Sequence, residues 1–158
     1  MPKPKTTYAK KNLASVNLSD NDLSGADLSE TTLRHATMRN TNLDDADLHG
    51  VDLTHGNLTG ASLSHTNLAG ANLEHADLRH TNLAGANLQS ARMQGANLTG
   101  ADLTDCDLGT ADLRDSDPST ASFPLPPGAL TDEERRTEIA ADEENRGPAA
   151  TIGRGPSK

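Results

Sequence analysis

From Leu13 to Leu113 a leucine or methionine falls on every fifth residue without a slip. There are 21 consecutive centres, 19 of them Leu, with Met38 and Met93 as the exceptions. Most centres follow a small residue two positions earlier and an Asn or Asp directly before, as in Ala96-Asn97-Leu98-Thr99-Gly100.

A five-residue period fits neither regular element. On a helix, five residues turn the side chain through about 500°, so successive leucines would spiral around the cylinder. On one long strand, an odd period would send alternate leucines to opposite faces. The pattern is satisfied if each repeat is a short extended piece whose centre and second-preceding residue point inward, followed by a turn that restores the direction. The turn is itself legible. Leu23-Ser24-Gly25-Ala26, Leu58-Thr59-Gly60-Ala61, Leu68-Ala69-Gly70-Ala71 and Leu98-Thr99-Gly100-Ala101 place Gly third of four, where a type II turn requires positive φ. At other corners the same place holds Asp20, Asn40, Asp45, Asp105, Asp115, His35, His55, His65, His75 or His80. Asn, Asp and His are the non-glycine residues most enriched at positive φ.

These residues resemble the pentapeptide repeat family, whose pattern is written A(D/N)LXX, over roughly residues 11–117. The resemblance implies an all-β fold, a right-handed quadrilateral β-helix with four repeats per coil. The centre and the second-preceding residue face inward, and the other three face outward. Five coils and a fraction follow, about 25 Å long at the usual strand spacing.

Around the array the sequence predicts a basic flexible tail over 1–10, a Pro-rich capping segment over 118–130 and a disordered tail over 146–158. Pro118 stands where the next leucine is due, and proline cannot donate to a backbone ladder. Between these segments, Thr131 and Glu134 have capping-box spacing and open a marginal helix over 131–145, whose apolar face is poor. Tyr8 and Phe123 flank the array and, with Leu125, are expected to cap its open ends.

Only 33% of the 158 residues are hydrophobic, so a conventional mixed core is excluded, and phased leucines must supply a thin continuous one. The lone cysteine, Cys106, excludes an intramolecular disulfide and a multi-cysteine metal cluster. It falls two residues before a centre and reads as a small core filler. No signal peptide or membrane span is expected, and the chain reads as cytoplasmic. There is no P-loop, dinucleotide motif or Ser-His-Asp arrangement, and a filled rod offers no deep pocket, so neither an enzyme nor a cofactor is expected.

Residues 11–117 carry 16 acidic and 6 basic side chains, with the acids concentrated toward the two ends. The best understood relatives implied by the resemblance imitate duplex DNA, bind DNA gyrase or another type II topoisomerase, and protect it from quinolone antibiotics. A protein partner of that kind would meet Asp20, Asp22, Asp27, Asp44, Asp45, Asp47, Asp52, Asp102, Asp105, Asp107 and Asp112. The alternatives are a scaffold for an unrelated partner, with the Asn and Asp before each centre bonding to the backbone of neighbouring coils, or a histidine-based surface. Direct nucleic-acid binding is disfavoured by the acidic balance and the lack of aromatics for stacking. The expected state is a monomer, or a homodimer through a rod end.

His35, His55 and His75 are 20 residues apart, so four repeats per coil put them in one column at one corner. Such a column is a candidate site for zinc or nickel, or a proton-sensitive patch. Tolerance of histidine at an exposed corner is the simpler alternative. The acidic cluster of Asp44, Asp45 and Asp47 lacks the nonapeptide Gly-Asp pattern of calcium-binding β-rolls.

Overall fold

The computed structural model describes residues 6–123, which form a four-sided parallel β-solenoid. Every bridge joins residues twenty apart, from Thr7 with Asp27 to Asp102 with Ser122, so four repeats make one coil. The sides are named here after the first centre on each: Tyr8, Leu13, Leu18 and Leu23.

The backbone hydrogen bonds account for the five-residue unit almost completely. In the repeat around Leu28, the Asp27 amide donates to Thr6 in the preceding coil, while the Leu28 and Glu30 amides donate to Asp47 and His49 in the following one. The Thr31 amide closes the turn on the Leu28 carbonyl. The fifth amide, of Ser29, is taken by the Asp27 side chain at 3.1 Å. Repeats from Asn12 to Asp117 reuse that last bond, and it explains the Asn or Asp before most centres. The expectation that these side chains bond to the backbone of neighbouring coils is therefore corrected. The Oδ1 atom bonds two residues ahead in its own repeat, an Asx arrangement that short side chains reach without strain. Asp44, directly after a centre, reaches the next coil instead: it accepts from the Ser62 hydroxyl and from the Ser64 amide, where Ser62 cannot supply the bond.

The centres from Leu28 to Leu103 and the small residues two before them fill the interior, with most side chains fully buried. Each buried leucine contributes about 1.5–3 kcal/mol. Thr31, Thr41 and Thr66 also point inward, and each satisfies its hydroxyl on the carbonyl of the residue 23 positions earlier.

The residue two after each centre has positive φ at nearly every corner from Lys10 to Thr120, including all the Asp, Asn and His corners named above. One corner departs. Gly109, directly after Leu108, takes φ +36° in place of Thr110, and the Ser90 and Thr110 hydroxyls meet at 2.9 Å.

The solenoid extends beyond 11–117 at both ends, making nearly six coils. Thr7 is bridged to Asp27 and Ser122 to Asp102, so Thr6–Lys10 belong to the first coil and not to a tail, and Pro118–Phe123 complete the last. Pro118 occupies a centre. The amide it lacks would donate to a following coil, and no such coil exists among the described residues. Among the described residues Tyr8 and Phe123 are the first and last centres: Tyr8 packs against the core, and Phe123 is 37% exposed. Leu125, the helix over 131–145 and the terminal tail lie outside the described residues.

Candidate functional site

The twenty-residue register sorts the charges around the rod. Among the described residues, the Leu23 side carries Asp22, Asp44, Asp45, Asp102 and Asp105 and no Lys or Arg. The adjoining Tyr8 side carries Asp27, Glu30, Asp47 and Asp107, with Lys10 as its one fixed cation. All five arginines of the described residues lie on the other half: Arg34, Arg92 and Arg114 on the Leu13 side, Arg39 and Arg79 on the Leu18 side.

Ion pairing sharpens this asymmetry. Arg34 meets Asp52 at 3.6 Å, Arg79 meets Asp77 at 2.6 Å, Arg114 meets Asp112 at 2.6 Å, and Arg92 pairs with Glu74. These pairs neutralise the arginine half. Asp44, Asp45, Asp102 and Asp105 form no ion pair among the described residues.

The eleven candidate aspartates therefore do not share one surface. Eight lie on the Leu23 and Tyr8 sides, and Asp20 marks the corner where the Leu23 side begins. Asp52 and Asp112 sit on the Leu13 side, each neutralised by an arginine. The Asp112 carboxyl is held well below the usual carboxylate range, first by Arg114 and then by the Gln94 amide. Asp27 is lowered by the Ser29 hydroxyl and amide. Glu30 was not among the candidates, but it belongs to the acidic half, where it pairs with Lys10 at 3.5 Å and lies 3.9 Å from His49. Its position two residues after a centre was the available signal.

The histidine column is present. His35 and His55 stack with ring centroids 5.1 Å apart and planes 7° from parallel, and His55 and His75 repeat this at 5.1 Å and 11°. Nearly parallel planes leave the in-plane lone pairs of adjacent rings without a common point for an ion. Among the described residues no group of three His, Cys, Asp or Glu is placed to hold a metal. His65, His75 and His80 instead lie over the glycine corners of the next coil: a Cβ on Gly85, Gly95 or Gly100 would fall 2.5–2.6 Å from their Nδ1 atoms. His49 stands apart, with Nδ1 2.9 Å from Asp47.

Cys106 is buried, with its thiol 2.9 Å from the Leu83 carbonyl. Burial pushes its pKa up to about 11, away from nucleophilic use.

The model of pentapeptide repeats matches residues 12–50, 46–83 and 81–117. The chain belongs to the pentapeptide repeat family. Members are protein-interaction modules, generally without catalytic activity, and their solved structures imply a right-handed quadrilateral β-helix. This pentapeptide repeat protein is similar to Rfr23 from the cyanobacterium Cyanothece 51142, at 30% identity over 74% of this chain and 90% of that one, with a TM-score of 0.59. It also matches HetL, involved in heterocyst differentiation regulation in Nostoc sp. strain PCC 7120, at 23% identity over 80% of this chain and 94% of that one, with a TM-score of 0.31. The plasmid-mediated fluoroquinolone resistance protein QnrB1 matches at 17% identity over 93% of this chain and 98% of that one, with a TM-score of 0.29. The superpositions on HetL and QnrB1 are too loose to carry an argument about this pentapeptide repeat protein. A search of curated proteins brings up no relative.

Proposed function

We propose that this protein is a non-enzymatic interaction module whose acidic half, the Leu23 and Tyr8 sides, docks on a cationic surface of a protein partner. The observation that carries the reading is the segregation of charge: Asp44, Asp45, Asp102 and Asp105 stand without ion pairs on one half, while every arginine of the described residues stands on the other. A surface of one sign attracts the opposite sign and raises the rate of encounter.

The concrete partner is a type II topoisomerase such as DNA gyrase, whose DNA-binding saddle presents the Lys and Arg that normally meet phosphate. Supercoiling by gyrase, with and without a quinolone, is the direct assay. Inhibition or protection at micromolar protein, lost when Asp44, Asp45, Asp102 and Asp105 become Asn, supports the reading. If gyrase is indifferent to the protein, the partner is another cationic protein and the topoisomerase is abandoned.

A further inference from the structure

The outward amide directly after a centre is normally closed by the Asn or Asp of its own repeat, and two consecutive repeats leave it open. In the repeats from Asn12 to Asp117, the Arg34, Arg39 and Gln94 amides find no acceptor among the described residues. At Gln94 the Asx place holds Arg92, which turns to Glu74. At Arg34 and Arg39 it holds Thr32 and Thr37.

What fills such a place is visible elsewhere in the same rod. Asp77 Oδ1 accepts from the Arg79 amide at 3.2 Å and from Arg79 Nε at 2.8 Å, while Oδ2 accepts from Nη2 at 2.6 Å. Asp112 takes the amide, Nε and Nη2 of Arg114 in the same way, at 3.2, 2.9 and 2.6 Å. One carboxylate thus satisfies three donors of the arginine two residues ahead. Arg34 and Arg39 carry the same three donors at the same repeat position, with threonine where the carboxylate would be.

These arginines are also the least engaged of the five. Arg39 forms no ion pair or side-chain hydrogen bond among the described residues, and Arg34 has only Asp52, 3.6 Å from its Nη1 and beyond hydrogen-bond length. On either side of Thr37 and Arg39, the same rows hold Asn17, Ser19, Asn57 and Thr59, all uncharged. Asp20, at the adjoining corner, already accepts from Asn40 at 3.1 Å.

We propose that Thr32–Arg39 binds an acidic segment of a protein partner, one carboxylate taking the open place at Arg39 and a second the place at Arg34, across the His35 corner. A planar carboxylate matches the guanidinium fork with two parallel bonds, and here it gains the backbone amide as a third donor. Two such places in consecutive repeats favour a ligand that carries both carboxylates on one chain, since the second then binds intramolecularly. Arg39 is the stronger half, because Asp52 already draws on Arg34. The site lies on the arginine half, so it stands or falls separately from the acidic-half reading.

The probe is the peptide acetyl-Glu-Ala-Glu-Ala-Glu-amide, titrated at low salt into the isotope-labelled full chain and followed by amide NMR. The Arg34 and Arg39 amides should move saturably with a dissociation constant on the order of 1 mM, while the closed amides of Arg79 and Arg114 stay in place. Thr37→Asp supplies the carboxylate internally, as Asp77 does for Arg79, so it should weaken binding about tenfold or more with a circular dichroism melt no lower than the parent's. Arg39→Ala should weaken it as much, and Thr32→Asp about threefold. Inorganic phosphate should bind several-fold more weakly than the peptide, because one ion fills one place at a time. An Arg39 amide that does not shift saturably, equal shifts at Arg79 and Arg114, binding indifferent to Thr37→Asp, or phosphate as effective as the peptide would overturn the proposal.

Discussion

The Cys106 thiol donates to the Leu83 carbonyl at 2.9 Å, repeating the link by which Thr66 donates to Leu43 at 2.9 Å in another coil on the same side. Both span 23 residues, so the cysteine fills a place that this architecture otherwise gives to threonine.

C106T should therefore keep the melting temperature of the parent, whereas C106S loses contact volume and melts lower. With its pKa raised to about 11, the thiol should react with a disulfide reagent at pH 8 about 100-fold more slowly than in the unfolded chain. Absorbance kinetics in buffer and in denaturant give the ratio. Equal rates would contradict the burial.

Glycine corners separate into two kinds. Gly70 has φ +66° and nothing within 4 Å of a built Cβ, so Gly70→Ala should cost only the left-handed backbone penalty, about 1–2 kcal/mol. Gly85 has φ +69° and the His65 ring over it, so Gly85→Ala must also displace the imidazole and should be the more destabilising. Adding His65→Ala to Gly85→Ala should bring the cost back toward that at Gly70. Thermal melts of the three variants decide it.

Asn97 Oδ1 accepts both the Thr99 amide, at 3.0 Å, and the Thr99 hydroxyl, at 2.6 Å. Asn97→Ala should cost about 1 kcal/mol, and Asn97→Asp should be nearly neutral, since either side chain offers the same oxygen. Urea midpoints compared at equal slope are the measurement.

Acid should loosen the rod only at low pH. Asp27, Asp77, Asp112 and Asp117 all have carboxyls below their ordinary value, through Ser29, Arg79, Arg114 and Ser119 respectively as the largest cause. A depressed folded pKa contributes stability that is fully present above the unfolded value, near 4, and is lost as pH falls through the lower folded value. Circular dichroism melts should be flat with respect to these four groups above about pH 5 and should fall below about pH 4. Replacing Asp77 with Asn should flatten part of that decline.

The inside and outside of the rod were legible because the repeat is local: five residues contain their own inward pair, corner and Asx bond. Even the corners could be read, from glycine and from the residues that tolerate positive φ. The ends were less legible. Tyr8, Pro118 and Phe123 break the leucine pattern yet keep its spacing and its bridges. End coils demand less of a centre residue, since among the described residues one flank of the core has no further coil and an amide such as the one Pro118 lacks has none to meet.

The aspartates show the same limit for function. Asp52 and Asp45 read alike as acids of one segment, but one faces Arg34 on the Leu13 side and the other stands on a corner of the Leu23 side without an ion pair. By itself the five-residue period determined that a filled solenoid forms and which side chains face its interior, because those choices depend on neighbours within one repeat. Only the tertiary structure decided which exposed residues share a side, because that depends on residues twenty apart being held one strand spacing from each other. The separation into an acidic half and an arginine half follows from that register.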